Sequence, residues 1–368
     1  MKMRFFSKSN LLKNDSVLLI ANIYSDKISV FVIERKKEGN AISILASAIE
    51  PQEGEIKQEG ELDADKIILN LQKAMQAIPP EITRVAKKAV FGFGADISDF
   101  EFRQLKLERR DKDKKISEEE LESLTKKKQN EELSAERFII DGFVVSNPVG
   151  LNGKELIADA VSMSFSEKLI ANIESLSAGR GMESLGFINL TQSALQALKD
   201  SDDPSVGKDF IFISVFQNNT DVIVIRDNVI NSIGNLGAGY GIIEKSVSEK
   251  FEVGIEEAKD IISKMRSGEL NSESDDSAKL AVQHALSAHI EKIRELFGNI
   301  DKMLILPGTI IIGISEESPE LLKVLLDKIW LADLPLERNA EINNLNVLIG
   351  GQEKLNSVFD LAILKFIK

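Results

Sequence analysis

Cysteine is absent from this chain of 368 residues, which excludes disulfide bonds, thiol nucleophiles and zinc–thiolate sites. Only two histidines occur, too few for a histidine-rich metal centre. Long apolar runs are also missing, because the longest uncharged stretch, residues 228–243, contains four glycines and three asparagines and would span a membrane poorly. The N-terminus lacks the continuous apolar region of a signal peptide, so the sequence predicts a cytoplasmic protein.

Acidic residues outnumber basic ones, with 59 Asp and Glu against 46 Lys and Arg and a net charge of −13. This balance argues against nucleic acid as a partner, because a phosphate-binding surface would have to be carved out of an acidic chain. The hydrophobic fraction of 43% is that of a folded globular protein and excludes wholesale disorder. The length predicts two or three domains.

Apolar periodicity predicts an α/β chain whose second half repeats the first. The first half is expected to contain a hairpin, a third strand, a helix and a fourth strand: residues 16–33 (turning at 25–27), 42–49, 63–78 and 89–93. After an intervening region, residues 182–188 and 190–198 predict a further strand and helix. The second half is expected to contain four strands and three helices: residues 210–216, 221–226, 229–233 and 309–314, and residues 240–251, 255–265 and 277–297. Residues 266–276 are predicted to form an exposed loop.

The pattern of residue types changes between about residues 94 and 177. Residues 106–128 carry alternating charges, which favours a solvated face, and a helix start is predicted at Ser117. Two predicted strands, residues 138–146 and 155–165, flank the turn NPVGLNG, and a helix is expected over residues 166–178. This region therefore predicts a small inserted α/β module.

The two histidines and the single tryptophan are interpreted as structural residues and not as ligands. His284 and His289 lie five apart on a predicted helix, about 140° apart around its axis, which is poor spacing for a shared metal. Trp330 follows an apolar helical face and is predicted to be a packing anchor.

Four segments carry a family resemblance, and their order along the chain is more informative than any one of them: DGFVVSNPVGLNGKELIADA (141–160), KKISEEELESL (114–124), IGNLGAGYGIIEKSVSEKFEVGIEEAKDI (233–261) and HIEKIRELF (289–297). Together they resemble the actin-like cell-division family FtsA and, more distantly, its pilus-assembly relative PilM. The resemblance implies a two-lobed actin-like ATPase fold, built from duplicated ribonuclease-H-like lobes, as in actin, Hsp70 and sugar kinases.

The resemblance also implies domain boundaries. These are a basic and apolar N-terminal segment (1–14), a first actin-like lobe (15–94 and 178–199), an inserted FtsA-type SHS2 subdomain (95–177), a second actin-like lobe (200–345) and a C-terminal strand or helix returning to the first lobe (346–368).

The family binds ATP with three motifs, and this chain departs from each. In the first hairpin the family has an aspartate that organises Mg²⁺ and a glycine that lets the backbone approach phosphate. Here Asn22 stands at the acid and Tyr24 at the glycine, with Ser25 and Lys27 completing the turn. An amide supplies no anion, and a tyrosine fills space that a phosphate needs.

The second and third motifs show the same loss. Ser214 replaces the acid of the second phosphate loop, and Phe216, Gln217 and Asn218 replace its three glycines, while Asn219, Thr220 and Asp221 keep polar character. The adenosine loop keeps Gly313 of an expected glycine run, followed by Ile314 and Ser315. The sequence thus predicts a degenerate nucleotide site with no cofactor and no ATPase activity, in which Mg-ATP would bind only in an atypical way.

Gly237 and Gly239 open a predicted helix after a strand and resemble half of a dinucleotide fingerprint. The pattern is incomplete and lacks the acidic residue of a second strand, so a tight helix N-terminus is the preferred interpretation. The family places this turn beside the nucleotide cleft, which leaves a residual anion site open.

The N-terminal segment is a candidate membrane anchor, because basic side chains alternate with apolar ones: Arg4, Phe5, Phe6, Lys8, Leu11 and Leu12. A frayed or packed terminus is the alternative. FtsA proteins commonly carry an amphipathic helix at the C-terminus, and no separate anchor of that kind is expected here after the last predicted helix.

The resemblance implies a cytoplasmic scaffold, peripheral at the inner face of the membrane if the anchor is real. It would bind the C-terminal tail of FtsZ or other division proteins and self-associate into a dimer or protofilament. A first alternative is a PilM-like scaffold for pilus or secretion assembly, which binds a short peptide of an inner-membrane protein. A second is an active ATPase or sugar-kinase relative, against which the missing carboxylates at Asn22 and Ser214 argue.

Overall fold

The computed structural model describes residues 17–35, 42–52, 56–58, 61–125, 131–201, 203–299, 305–316, 318–337, 340–349, 355 and 357–367. The chain divides into two compact units. The first consists of Met1–Asp200 with Ile225–Ile233 and Ala362–Lys368, and the second of Ser201–Val224 and Gly234–Leu361.

The first unit contains a five-stranded sheet with helices packed against it. Its elements are β1 (Val17–Ile23), β2 (Lys27–Arg35), β3 (Ile42–Pro51), the short pair β4 (Lys57–Gln58) and β5 (Glu61–Leu62), α1 (Ala64–Ala77), α2 (Pro80–Thr83), β6 (Lys88–Phe93), α4 (Glu167–Gly179), β11 (Glu183–Asn189) and α5 (Leu190–Lys199). The strand order is β11-β6-β1-β2-β3, antiparallel from β1 to β3 and parallel from β1 to β11. The side chain of Asp63 caps α1 by accepting a hydrogen bond from the Lys66 amide, which explains why the helix begins there.

An inserted subdomain interrupts the first unit between β6 and α4. It has a four-stranded antiparallel sheet of order β7-β10-β8-β9 and one short helix: β7 (Asp99–Glu108), α3 (Glu118–Leu124), β8 (Glu131–Ile140), β9 (Phe143–Val145) and β10 (Glu155–Ser164). The predicted helix start at Ser117 is confirmed, since Ser117 and Glu120 form a reciprocal capping box. The buried guanidinium of Arg109 ties this helix to the sheet by bonding to Glu120 and to the carbonyls of Lys114 and Gly153.

One prediction for this region is wrong, and one strand was not predicted. Residues 138–146 are not one strand, because Asp141 and Gly142 both adopt positive φ (47° and 88°) and turn the chain back between β8 and β9. The strand that was not predicted is β7, because its last residues belong to the charged stretch that begins at residue 106. Exposed and half-buried residues alternate along this strand, as in a sheet with one solvated face.

The second half of the chain, from residue 210 onwards, repeats the strand order of the first sheet. Its elements are β12 (Phe210–Val215), β13 (Thr220–Arg226), β14 (Val229–Leu236), α6 (Gly241–Phe251), α7 (Ile255–Ser267), α8 (Ser272–Asn299), β15 (Thr309–Ile314), α9 (Pro319–Leu326), a 3₁₀ turn (Lys328–Leu331), β16 (Glu341–Asn344), α10 (Leu345–Ile349) and α11 (Val358–Ile367). The order β14-β13-β12-β15-β16 matches β3-β2-β1-β6-β11 position for position. The predicted loop over residues 266–276 is wrong at its C-terminal end, where α8 begins five residues earlier than expected.

Each unit has its own apolar core. In the first, buried residues of β1, β2 and β6 pack against α1 and α4, and in the second, residues of β12, β13 and β15 pack against α6, α7 and α8. Trp330 is buried in the second core and its indole N–H donates to the Leu325 carbonyl at 3.0 Å, as expected of a packing anchor. Among the described residues no helix is long and apolar enough to cross a membrane.

Candidate nucleotide site

The turn between β1 and β2 is closed by bonds within the chain. The Tyr24 amide donates to the Lys27 carbonyl at 2.9 Å, and the Tyr24 side chain is fully buried beneath the Lys27 ammonium, 5.6 Å from the ring centroid. The carbonyl of Tyr24 accepts a hydrogen bond from the side chain of Gln52, which is itself held by Asn70 at 3.4 Å. The turn is therefore anchored to β3 and α1.

Asn22 lies in the centre of the first sheet, fully buried, opposite Ser29 of β2 and Gly92 of β6. Its amide leaves room only for glycine at position 92, since a Cβ there would lie 2.4 Å from Asn22 Oδ1 and 2.6 Å from a methyl of Leu190. The residue is thus part of the packing between strands.

Sequence reasoning missed the polar residues that hold the far side of this turn. The Ser25 hydroxyl donates to the buried carboxylate of Asp96, and Asn189 donates to the Ser98 hydroxyl at 2.9 Å. Ser98 in turn donates to the Gly94 carbonyl at 2.8 Å. The signal available was the run GFGAD (92–96), which includes the last two residues of the buried strand β6 and continues beyond its carboxyl end. Polar functional residues gather at the carboxyl ends of parallel strands.

The turn between β12 and β13 is built around a buried phenyl ring. The Phe216 amide donates to the Asn219 carbonyl at 2.8 Å and closes the turn. The Phe216 side chain is fully buried and stacks on Phe359 of α11 with ring centroids 4.6 Å apart. This position, a glycine in the family, therefore contributes to the core.

The start of α6 faces this turn, and its first backbone amides donate hydrogen bonds to carbonyls of the turn. The Tyr240 amide donates to the Phe216 carbonyl at 3.1 Å, and the Gly241 amide donates to the Gln217 carbonyl at 2.9 Å. Gly239 is required for this close approach, because a Cβ there would lie 1.7 Å from the Phe216 carbonyl oxygen. A helix N-terminus is an anion site only when its amide groups point at the ligand. Here the first amides point at carbonyls of the chain.

The polar residues of the second turn bond to one another. Asn219 donates to Asp221 Oδ1 at 2.8 Å, and Asn235 donates to the same oxygen at 2.8 Å and to Asn219 Oδ1 at 2.6 Å. The Ser214 hydroxyl lies 3.5 Å from Asp221 Oδ2. Two side-chain amides and a hydroxyl thus bond to the buried carboxylate of Asp221.

His289 of α8 lies beside this network. Its Nε2 is 3.3 Å from the Thr220 hydroxyl, which donates to the Ala238 carbonyl at 2.8 Å, so the imidazole N–H donates to Thr220. Burial, together with the nearby charge of Lys292, lowers the pKa of His289 to about 4. The imidazole is therefore neutral at pH 7.

Carboxylates surround the start of α6. Gln217 donates to Glu244 at 3.3 Å, and the Tyr240 hydroxyl donates to Glu316 at 3.4 Å. Burial raises the pKa of Glu244, and the nearby Glu316 adds to this rise. An anion that approached this end of the helix would meet acidic groups.

The remaining predicted positions of the second unit serve packing or face solvent. Gly313 lies in β15, where a Cβ would contact Leu345 at 2.9 Å and the ring of Phe212 at 3.4 Å. Ser315 is fully buried, and its amide donates to the Val215 carbonyl at 2.8 Å. Asn218 and Gly237 are exposed.

No group of three or more His, Asp or Glu residues within the described part of the chain could hold a metal ion. Taken separately, neither turn offers the free carboxylate and the glycine backbone with which the family motif holds magnesium and phosphate. The six candidate membrane residues, Arg4 to Leu12, lie outside the described residues.

No family model matches this sequence, and none of the curated proteins matches it. Solved structures do match. The chain is similar to a structure of a PilM–PilN type IV pilus biogenesis complex, with a TM-score of 0.64 and 12% identity over 97% of this chain and 100% of the other. The chain has the actin-like ATPase fold.

Two further actin-like structures resemble it less. One is the ethanolamine utilization protein EutJ from Carboxydothermus hydrogenoformans, with a TM-score of 0.48 and 12% identity over 98% of this chain and 95% of the other. The other is a Bacteroides thetaiotaomicron protein with an actin-like ATPase fold, with a TM-score of 0.43 and 10% identity over 96% of each chain. The predicted fold class is confirmed by the likeness to the PilM–PilN structure and by the repeated strand order of the two sheets.

Proposed function

We propose that this actin-like protein is an assembly scaffold that acts by binding partner proteins and that its nucleotide site is degenerate. The observation that carries this proposal is the second turn, where the carbonyls of Phe216 and Gln217 take the amides of Tyr240 and Gly241. Phosphoryl transfer depends on metal and phosphates being held in place, so a helix start whose first amides already bond to carbonyls of the chain favours binding over catalysis.

Among scaffolds, we favour the pilus and secretion branch. The PilM–PilN structure covers this chain from end to end, and it is a complex of two proteins in type IV pilus biogenesis. By analogy, the partner is a short segment of a membrane-associated assembly protein, bound without chemistry.

Cell division is the second candidate, and the motif DGFVVSNPVGLNG in the inserted subdomain favours it. Its NPVGLNG segment folds back on the start of α3, with the Gly150 amide donating to the Ile116 carbonyl at 2.9 Å and the Ile116 amide donating to the Leu151 carbonyl at 2.8 Å. In this branch the partner is the FtsZ C-terminal tail, and self-association into a dimer or protofilament and contact with the membrane surface belong to the proposal.

A competition between two immobilised peptides tests the proposal. A PilN-type N-terminal peptide and an FtsZ C-terminal tail peptide, each beside a scrambled version, are used to capture the purified chain. We expect saturable capture by the PilN-type peptide alone. Capture by the FtsZ tail alone would move the protein to the division branch, and capture by neither would contradict the scaffold role.

A further inference from the structure

A groove runs between α1 and α4 of the first unit. The helices lie side by side and in the same direction, because Lys168 at the start of α4 pairs with Asp65 at the start of α1 at 2.7 Å, while Gln76 and Arg180 at their ends line one groove. The groove has a volume of about 690 Å³, within the range of small-ligand and peptide sites.

The groove is open because α4 presents small residues to it. Ser175 and Gly179 line this side, and a Cβ added at Gly179 would meet nothing within 4 Å. The floor is apolar, formed by the half-buried side chains of Ile68 and Leu176. Two apolar side chains of a ligand would therefore find a surface to cover.

The walls carry hydrogen-bonding groups that the chain does not use. Gln72 and Gln76 line the groove, and neither amide has a hydrogen-bond partner among the described residues. An amide offers both a donor and an acceptor, as does each peptide unit of an extended chain. From Ile68 to Gln76 the helix rises about 12 Å, enough for about four residues of an extended peptide.

Among the described residues, Arg180 is the one charged residue that lines the groove. Its guanidinium has no carboxylate partner in the described part of the chain, although the chain carries a net charge of −13. The carbonyls that end α4 are satisfied by backbone amides, with Gly181 donating to Ala178 at 3.0 Å and Met182 to Ser177 at 2.9 Å. The side chain of Arg180 is therefore available to a carboxylate from outside.

We propose that the α1–α4 groove binds a short extended peptide of a partner protein that carries two apolar side chains followed by a carboxylate. The apolar side chains cover Ile68 and Leu176, the backbone bonds to Gln72 and Gln76, and the carboxylate pairs with Arg180. The proposal rests on the scaffold role proposed above and assigns that role a binding surface.

The test is a methyl NMR titration of the full chain with an acetylated, amidated tetrapeptide that has leucine at its first and third positions and aspartate at its fourth. Matched peptides carry asparagine or lysine in place of aspartate. We expect shifts of the Ile68 and Leu176 methyls and about five- to tenfold tighter binding of the aspartate peptide than of the lysine peptide.

Three variants complete the test. Arg180→Gln should remove the preference for the aspartate peptide, and Ser175→Tyr should prevent binding of all three peptides by filling the groove. Arg110→Gln, the control, changes an exposed arginine of the inserted subdomain and should leave both the affinities and the preference for aspartate unchanged. Equal affinity for the three peptides, unaltered binding to Ser175→Tyr, or no shift at about 2 mM peptide would each overturn the proposal. The scaffold role would survive such a failure if the wild-type chain were still captured by the PilN-type or FtsZ peptide.

Discussion

At the scale of single residues, Phe216 and Tyr24 stand where the family's glycines lie, and both side chains are fully buried. The ring of Phe216 packs on Phe359, and burial of an aromatic side chain contributes about 2–3 kcal/mol to folding. Removing either ring would therefore leave a cavity in a core and would not restore a phosphate loop.

Asn22→Asp tests whether one carboxylate restores the lost chemistry. We expect no ATP hydrolysis, because Tyr24 and Phe216 remain, and a loss of about 2 kcal/mol in the free energy of unfolding at pH 7, because position 22 is fully buried. Phosphate release and urea unfolding measure the two effects. The control is Asn228→Asp at an exposed turn, which should leave stability within about 0.5 kcal/mol. Hydrolysis by Asn22→Asp would refute this account of the turn.

His289 predicts a pH dependence of stability. Its pKa is about 4 in the folded chain against about 6.5 unfolded, so the unfolded chain binds the extra proton between these values. Stability from this residue is complete above pH 6.5 and is lost as the pH falls towards 4, by on the order of 2 kcal/mol between pH 7 and 5.

Urea unfolding of His289→Gln over the same pH range measures this contribution, and the variant should lose that part of the pH dependence. His284→Gln, at an exposed position of the same helix, should keep it. Identical pH profiles for the wild type and His289→Gln would contradict the buried, neutral histidine.

At the scale of elements, the start of α6 depends on one glycine and not on its neighbour. Gly239→Ala would place a Cβ 1.7 Å from the Phe216 carbonyl oxygen, whereas a Cβ at Gly237 meets nothing within 4 Å. We expect Gly239→Ala to cost more than about 2 kcal/mol and Gly237→Ala to change stability by less than about 0.5 kcal/mol, as measured by chemical unfolding. Similar losses in both variants would show that the contact between turn and helix is not what requires glycine.

The alternation and the helical spacing of apolar residues predicted most elements, because each such pattern marks the face of a strand or helix that is buried within its own unit. They failed where one short polar turn decided the path of the chain. The pair Asp141-Gly142 sits inside an apolar run, and only the positive φ of both residues shows that β8 and β9 are separate strands. The early start of α8 was missed because its first turn is polar and exposed, with no apolar face to mark it.

At the scale of the whole molecule, the repetition of the first half by the second is the feature that the sequence predicted best, since both halves begin with the same run of three strands. The candidate site was predictable only in part. The residues replacing the family motifs could be read directly, but Gln52, Asn70 and Asp96, which hold the first turn, lie far from it in the chain. Such partners become visible only when strands and helices are packed.

Internal hydrogen bonds and buried rings occupy the positions at which the family has its phosphate loops. Isothermal titration of the full chain with Mg-ATP measures whether the protein still binds nucleotide. We predict no saturable heat of binding at nucleotide concentrations up to about 1 mM. Saturable binding in the micromolar range that depends on magnesium would contradict the account.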